Sequence, residues 1–145
     1  MLGFSNANEE FDAVLKEIKS LIDSGVSAKN ICVVARTHKL LDDYTAKFTA
    51  NGMRCYEIRG NKADDRGLDG IRVATMHRVK GLEFQYIFIV AANKRIIPLA
   101  SAIDHTDSVS EQETMTAEKC LLYVALTRAQ KGAYVSGYGK MSEFL

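Results

Sequence analysis

The sequence predicts a single α/β domain in which a mostly parallel sheet carries helices on both faces. Segments with apolar residues at helical spacing alternate with short apolar runs, which is the order that α/β domains show. Several of those runs are continuous rather than alternating, as expected of strands covered on both faces. The length of 145 residues, 47% of them hydrophobic, fits one domain with one continuous core.

The first 60 residues are predicted to form helix, strand, helix and strand. Asn6 and Glu9 are typical of a helix start, because the first can cap the helix and the second places an acid in its first turn. Gly25 is expected to end this helix. A buried strand over 31–35, a second amphipathic helix closing at 51–52 and a strand over 53–58 follow. The apolar stripe of the two helices consists of Phe11, Val14, Leu15, Ile18, Leu21, Ile22, Leu40, Leu41, Tyr44 and Phe48.

The second half is predicted to begin with a loop over 61–70, which is rich in aspartate and glycine. Strands are expected over 71–75 and 86–91, and the second of these is the most hydrophobic candidate in the chain. Residues 101–114 are polar and acidic and are expected to be an exposed loop. A helix is then predicted from about Thr116 through the apolar run 121–129, before a last strand over 133–136.

The composition excludes several classes of protein. The net charge is +1, so neither a basic nucleic-acid arm nor an acidic tail is present. The three cysteines lie far apart without metal-ligand spacing, so no metal site is expected. Cys32 and Cys120 lie in apolar runs, which favours small buried thiols in a reducing compartment. No apolar run approaches the roughly 18 residues that a membrane helix requires. A cytoplasmic protein without a membrane partner is therefore expected.

Two polar clusters directly follow predicted strands. In parallel sheets ligands gather at the carboxyl ends of the strands, and this rule selects 36–38 and 75–83. The second cluster combines a hydroxyl, an imidazole, two cations, a glycine and a carboxylate. Lys80 and Gly81 would let backbone N–H groups approach a phosphate, whereas Thr75 and His77 can hydrogen-bond a phosphate or a base. Glu83 suits a sugar hydroxyl or a basic partner better, and a merely charged turn is the alternative.

Arg36 and Arg128 have two interpretations that the residues alone leave open. Each can form a structural ion pair, Arg36 for instance with Asp42 or Asp43. Alternatively, both can point across a cleft at a triphosphate, where guanidinium groups stabilise a transferring γ-phosphoryl group. No GxxxxGK[ST] loop occurs in the sequence and no strand-ending acidic pair is available for magnesium. This chain alone therefore supplies at most one wall of a nucleotide site.

Three segments resemble motifs of the UvrD/Rep-like superfamily 1 DNA helicases. Residues 73–84 resemble motif V, residues 118–129 resemble motif VI most clearly over LLYVALTRA, and residues 31–37 resemble motif IV. The three follow the order that they have in the family. The resemblance implies that residues 1–145 form the second RecA-like motor domain, C-terminal to the domain with the phosphate loop. It also implies a short form without a large accessory insertion, since only 61–70 fills the place where larger members carry a domain.

The resemblance also implies roles for individual residues. Arg36 and Arg128 would act catalytically on the γ-phosphate from across the interdomain cleft, and Glu83, with Gly81 beside it, would contact the nucleotide. His77 would lie on the side of single-stranded DNA, and Thr75 and Lys80 are expected there too. The family often has two acids and two bases before motif VI, but here the run is Ala-Glu-Lys-Cys at 117–120, which puts an ion-pair relay there in doubt. The motif VI tyrosine, Tyr123, is expected to pack within its helix.

These residues favour one motor domain of an ATP-dependent DNA helicase or translocase, moving 3′ to 5′ by resemblance. ATP and Mg²⁺ would be held mainly by the N-terminal RecA-like domain of the same protein, and the fragment alone would bind neither and hydrolyse nothing. The partners expected are that domain and single-stranded DNA. The competing hypothesis is a non-catalytic module that binds nucleic acid or protein and has kept only the fold.

Overall fold

The computed structural model describes residues 1–60 and 63–145 and shows one six-stranded sheet with helices on both faces. The first two residues of the expected loop 61–70 lie outside the described residues, and 63–70 contain neither helix nor strand, as predicted. The strands are β1 (Leu2–Phe4), β2 (Ile31–Ala35), β3 (Cys55–Glu57), β4 (Ile71–Thr75), β5 (Phe84–Ile89) and β6 (Ala129–Tyr138), and the helices are α1 (Ala7–Asp23), α2 (His38–Ala50) and α3 (Ser108–Leu126).

The sheet is parallel throughout and its strands follow the order β1-β6-β5-β2-β4-β3. The interior strands β2 and β4 are buried along their whole length, because helices cover both faces of the sheet. Val33 and Phe88 pack on the face that α1 and α2 cover, whereas Val34 and Ile87 pack on the face that α3 covers. The predicted α/β architecture is therefore confirmed.

Each of the three helices begins after a residue whose side chain caps it. The side-chain oxygen of Asn6 accepts the backbone N–H of Glu9 at 2.9 Å, which confirms the predicted start of α1. Thr37 caps α2 in the same way, through the backbone N–H of Leu40. Asp107 caps α3 by accepting from the backbone N–H of Ser110 at 2.7 Å.

Several element boundaries differ from the sequence prediction. The prediction of a loop over 101–114 is wrong in its second half, because α3 begins at Ser108. The polar first turns of α3 lie in solvent and carry no apolar stripe that would have revealed them. β5 begins two residues earlier than predicted, at Phe84, and β6 extends from Ala129 to Tyr138. The edge strand β1 was not predicted.

Two charged side chains are fully buried and tie loops to the sheet. Arg72 of β4 donates to Asp64 Oδ1 at 2.8 Å and to the carbonyl oxygens of Asp65 and Gly70, each at 2.7 Å. Its guanidinium also stacks on the ring of Tyr56, 4.8 Å from the ring centroid. Arg72 thus has a partner for each nitrogen and holds the described part of the 61–70 loop against the sheet.

The second buried charge-bearing group is the carboxyl of Glu10 on α1. It accepts hydrogen bonds from the Tyr44 hydroxyl and from the backbone N–H of Ala91, the latter at 2.9 Å. Burial raises the pKa of Glu10, although the backbone N–H of Ala91, the side chain of Ser136 and the charge of Lys47 oppose the rise. Glu10 therefore fastens α1 to α2 and to the segment that follows β5.

Candidate functional site

The carboxyl ends of β2 and β4 bring three of the candidate residues together. Ala35 pairs with Thr75 in the register of these two strands, so Arg36 and His77 extend from neighbouring positions. We call this edge of the sheet, with Arg36, Thr75 and His77, the carboxyl edge. The Thr75 hydroxyl accepts the backbone N–H of Arg78 at 3.3 Å and so orders the turn that carries His77.

Arg36 forms a buried ion pair with Glu118 of α3. Its Nε and Nη2 atoms donate to the two carboxylate oxygens at 3.0 and 2.6 Å, a bidentate arrangement. The side chains of Arg36 and Glu118 are 9% and 7% exposed. Of the two interpretations of Arg36, the structural pair is the one present, with Glu118 rather than Asp42 or Asp43 as its partner.

Glu118 has a second hydrogen-bond partner besides Arg36. Its Oε2 also accepts the backbone N–H of Leu99 at 3.1 Å, which fixes the segment after β5 to the middle of α3. Burial opposes ionisation of Glu118, but the bonds from Arg36 and Leu99 and the charge of Arg36 outweigh it and lower its pKa. The predicted doubt about ion pairs at 117–120 therefore does not apply to Glu118, which carries the central pair of this edge.

His77 is exposed at the mouth of this pair. Desolvation lowers the pKa of His77, the charge of Arg36 lowers it further, and the Glu118 carboxylate raises it. In a neutral imidazole one ring nitrogen donates a hydrogen bond and the other accepts one. An exposed His77 in this form could therefore bond to a base or a sugar.

The segment 76–83 then crosses the sheet without a helix, from the end of β4 to the start of β5. Its last residue, Glu83, therefore lies at the opposite edge, which we call the amino edge. Phe84 pairs with Ala129, and the backbone N–H of Phe84 donates to the carbonyl oxygen of Arg128 at 3.0 Å. Glu83 and Arg128 are thus neighbours at the amino edge. The Gln130 amide donates to Glu83 Oε2 at 3.2 Å and orients that carboxylate.

Arg128 lies just beyond the end of α3 and is half-buried. Its Nε donates to the carbonyl oxygen of Val124 at 3.2 Å, and its Nη2 lies 3.4 Å from the Thr127 hydroxyl. Both contacts are to neutral groups, and Arg128 takes part in none of the ion pairs formed by residues 1–60 and 63–145. Its charge is therefore oriented but not neutralised.

The structure does not bring Arg36 and Arg128 together. Arg36 is level with Ala91 and Arg128 is level with Glu83, judged by the register of β5 with its neighbours. Eight residues along a strand separate their Cα atoms by roughly 26 Å. The expectation that both guanidinium groups face one triphosphate is corrected accordingly: Arg36 is held by Glu118 at one edge, and Arg128 stands beside Glu83 at the other.

A groove of about 340 Å³ runs between the 76–83 segment and α3. Its lining residues are His77, Lys80, Ala117, Glu118, Cys120, Leu121 and Val124. Lys80 is exposed in this groove, on the same segment as His77. Gly81 has a φ of +83°, which favours glycine, and a Cβ there would meet open space. Glycine is thus needed at 81 for the turn rather than for lack of room.

Two features of α3 and β6 escaped the sequence prediction. Gln130 carries no pattern of its own, and only the pairing of β5 with β6 reveals its contact with Glu83. The expectation that Tyr123 packs within its helix is wrong, since Tyr123 is 69% exposed and faces a groove with Leu126 and Phe144. The helical spacing of 121–126 was correct, but this face of the helix is left uncovered.

No group of three or more metal-ligating side chains is formed by the part of the chain that the structure describes. The candidate residues therefore do not fit a magnesium site of their own. No helix among the described residues is long and apolar enough to span a membrane.

The parallel sheet with helices on both faces has the RecA-like architecture, and sequence comparison gives the family. Residues 56–140 match the family described as UvrD-like helicase C-terminal domain. The chain is 32% identical over 108 residues to the putative ATP-dependent DNA helicase YjcD of Bacillus subtilis, covering 74% of this chain and 13% of the relative. It is 38% identical over 91 residues to the ATP-dependent DNA helicase Rep of Escherichia coli, covering 63% and 12%.

The solved C-terminal domain of a possible DNA helicase from Lactobacillus plantarum shares the fold. It superposes with a TM-score of 0.70 at 18% identity, over 98% of this chain and 74% of that one. The chain belongs to the UvrD-like helicase C-terminal domain family. It spans only about an eighth of the length of the curated helicases that it matches.

Proposed function

We propose that residues 1–145 are the second motor domain of an ATP-dependent DNA helicase and supply Arg128 to an ATP site shared with another domain. The observation that carries this proposal is the amino edge, where Arg128 is oriented by Val124, stands beside Glu83 and forms no ion pair among the described residues. A guanidinium that is oriented but not ion-paired is suited to a polyanion that arrives from outside the domain.

At this edge Arg128 would neutralise the charge that develops on the γ-phosphate, and Glu83 would accept a hydrogen bond from a ribose hydroxyl. The turn at Gly81 precedes Glu83 and sets its position. The phosphates and Mg²⁺ would be held by the N-terminal RecA-like domain, because this chain has neither a phosphate loop nor a cluster of metal ligands in its described part.

The carboxyl edge would carry the single-stranded DNA. His77 and Lys80 are exposed on one side of the groove, and the Thr75 hydroxyl orders the turn that carries them. The relatives named as DNA helicases support DNA as the ligand, and the exposure of His77 and Lys80 supports its place at this edge. Because one short segment, 76–83, joins the two edges, a shift of Glu83 on closure around ATP would be passed to His77. Such coupling is what converts hydrolysis into stepping along a strand.

The test uses the full-length protein. We expect ATP hydrolysis that single-stranded DNA stimulates, and a fall in kcat of roughly 10³-fold or more for Arg128→Ala, as for other arginines that act from a second domain. The matched control is Arg59→Ala, which removes an exposed arginine paired with Asp42 and Glu57. A wild-type protein that binds DNA without hydrolysing ATP would establish the non-catalytic module instead.

A further inference from the structure

Three cations cluster at the carboxyl edge outside the residues assigned above. Lys94 and Arg95 follow the end of β5, and Lys140 follows the end of β6. The backbone N–H of Lys94 donates to the carbonyl oxygen of Lys140 at 2.8 Å, so the two segments run side by side. All three residues are exposed. We call them the basic edge.

The backbone that carries the basic edge is firmly held. The side-chain oxygen of Asn93, itself 8% exposed, accepts the backbone N–H of Tyr138 at 2.7 Å. The Ser142 hydroxyl donates to the carbonyl oxygen of Ile97, and its backbone N–H donates to that of Ala92 at 2.9 Å. These bonds cross-link the segment after β5 to the segment after β6. The backbone that carries the three cations is therefore held in place by hydrogen bonds.

Arg95 adopts a backbone conformation that favours glycine, with a φ of +71°. A residue with a Cβ is strained there, and nothing in the packing of Arg95 offsets the strain, because its side chain is exposed. Glycine would complete the same turn without strain. An arginine at this position contributes a charge to the surface but does not stabilise the turn.

The cations of the basic edge form no ion pairs. None of the three side chains takes part in the ion pairs among residues 1–60 and 63–145. Two carboxylates, Glu143 and Glu111, line the groove beside Lys94 and Arg95, and Glu111 contacts His105 rather than either cation. The three cations thus outnumber the two carboxylates near them. A polyanion is the partner that such a surface fits.

The strand order places the basic edge in line with His77. Along the carboxyl edge the strands follow as β6, β5, β2 and β4, so Lys140, Lys94 and His77 lie in sequence. At about 4.8 Å between strands, β6 and β4 are roughly 14 Å apart, a distance that a single strand of nucleic acid spans with a few phosphates. We propose that the basic edge binds phosphates of the single-stranded DNA and extends its path from His77 towards β6.

This proposal rests on the proposed function and is tested in the full-length protein. The variant Lys94→Gln/Arg95→Gly/Lys140→Gln removes the three charges, and glycine at 95 relieves strain, so its Tm is expected to stay level or rise. The control Lys16→Gln/Lys19→Gln/Arg54→Gln removes as many exposed cations elsewhere. The measurement is the affinity for a fluorescent single-stranded oligonucleotide as a function of salt concentration.

Loss of three phosphate contacts is expected to reduce the slope of log K against log[salt] by about 2, and therefore to weaken binding about a hundredfold near 0.1 M salt, because the lost electrostatic contribution vanishes near 1 M. The control should keep the wild-type slope, and ATPase at saturating DNA should stay within about threefold. An unchanged slope, or an equal loss in the control, overturns the proposal while the helicase function stands. An equal loss on blunt duplex overturns the assignment to a single strand. A wild-type protein that binds no single-stranded DNA refutes both proposals.

Discussion

Removing the carboxylate of Glu118 should destabilise the domain far more than removing an exposed ion pair. Glu118 accepts three hydrogen bonds, two from Arg36 at 3.0 and 2.6 Å and one from the Leu99 backbone at 3.1 Å. Glu118→Ala would leave the buried guanidinium without a counter-charge. Breaking a buried pair in this way costs about 3–5 kcal/mol, so the free energy of unfolding should fall by that amount.

For a domain of this size, 1 kcal/mol corresponds to a change in Tm of about 2–4 °C. Glu118→Ala is therefore expected to lower the Tm by roughly 6–20 °C. The assay is thermal and urea unfolding of the 145-residue domain followed by circular dichroism. The control is Arg59→Ala, whose ion pair with Asp42 is more than half exposed on both sides, and its expected change is at most about 1 kcal/mol.

The double variant Arg36→Met/Glu118→Leu separates a structural pair from a functional one. Replacing both charges with apolar side chains removes the unpaired buried group, and most of the lost stability should return. If the free energy of unfolding of Glu118→Ala lies within about 1 kcal/mol of wild type, the unpaired Arg36 is not the cost expected here. If the double variant is less stable than Glu118→Ala, the ion pair itself stabilises the domain, and the loss in Glu118→Ala is not due to an unpaired charge.

Three further outcomes follow from the same structure. The isolated domain should show no magnesium-dependent ATP hydrolysis, and turnover that co-purifies with the pure domain would contradict the assignment of the phosphates to another domain. NMR titration should give His77 a pKa below 6.5, and Arg36→Gln should raise it, because the nearby cation is lost and the Glu118 carboxylate is left unpaired. Since burial raises the folded-state pKa of Glu10 above 4.5, its contribution to stability should be lost as the pH rises from about 4.5 through the folded pKa. Unfolding free energies measured across that window should fall with pH in the wild type but not in Glu10→Gln, and equal pH dependence in both would exclude Glu10 as the cause.

The elements that depend on local pattern were predictable from the sequence. The apolar stripe on α1 indicates which face of the helix is buried, and the cap at Asn6 indicates where the helix begins. The continuous apolar run 31–35 indicates a strand that is buried on both faces. The start of α3 was not predictable in this way, because Ser108 to about Thr116 lies in solvent. Asp107 is a local signal for this start, since it caps α3 through Ser110. In the sequence, however, an aspartate in a polar segment is equally typical of a turn.

The candidate site was predictable as a set of residues but not as an arrangement. The rule that ligands gather at carboxyl ends placed Arg36 and the whole of 75–83 at one edge, because both clusters directly follow predicted strands. The segment 76–83 instead crosses the sheet from the end of β4 to the start of β5, so His77 lies at the carboxyl edge and Glu83 at the amino edge. The pairing of Arg36 with Glu118 joins residues 82 apart in sequence, and no local pattern encodes such a contact.

If the amino edge, and not the carboxyl edge, faces the nucleotide, Arg128 rather than Arg36 acts on ATP. The most direct test compares Arg128→Ala with Arg36→Met/Glu118→Leu in the full-length protein, at saturating ATP and single-stranded DNA. We expect a loss in kcat of about 10³-fold or more for Arg128→Ala, and a change of less than about fivefold for the double variant. A large loss for the double variant with little effect of Arg128→Ala would place the nucleotide at the carboxyl edge instead.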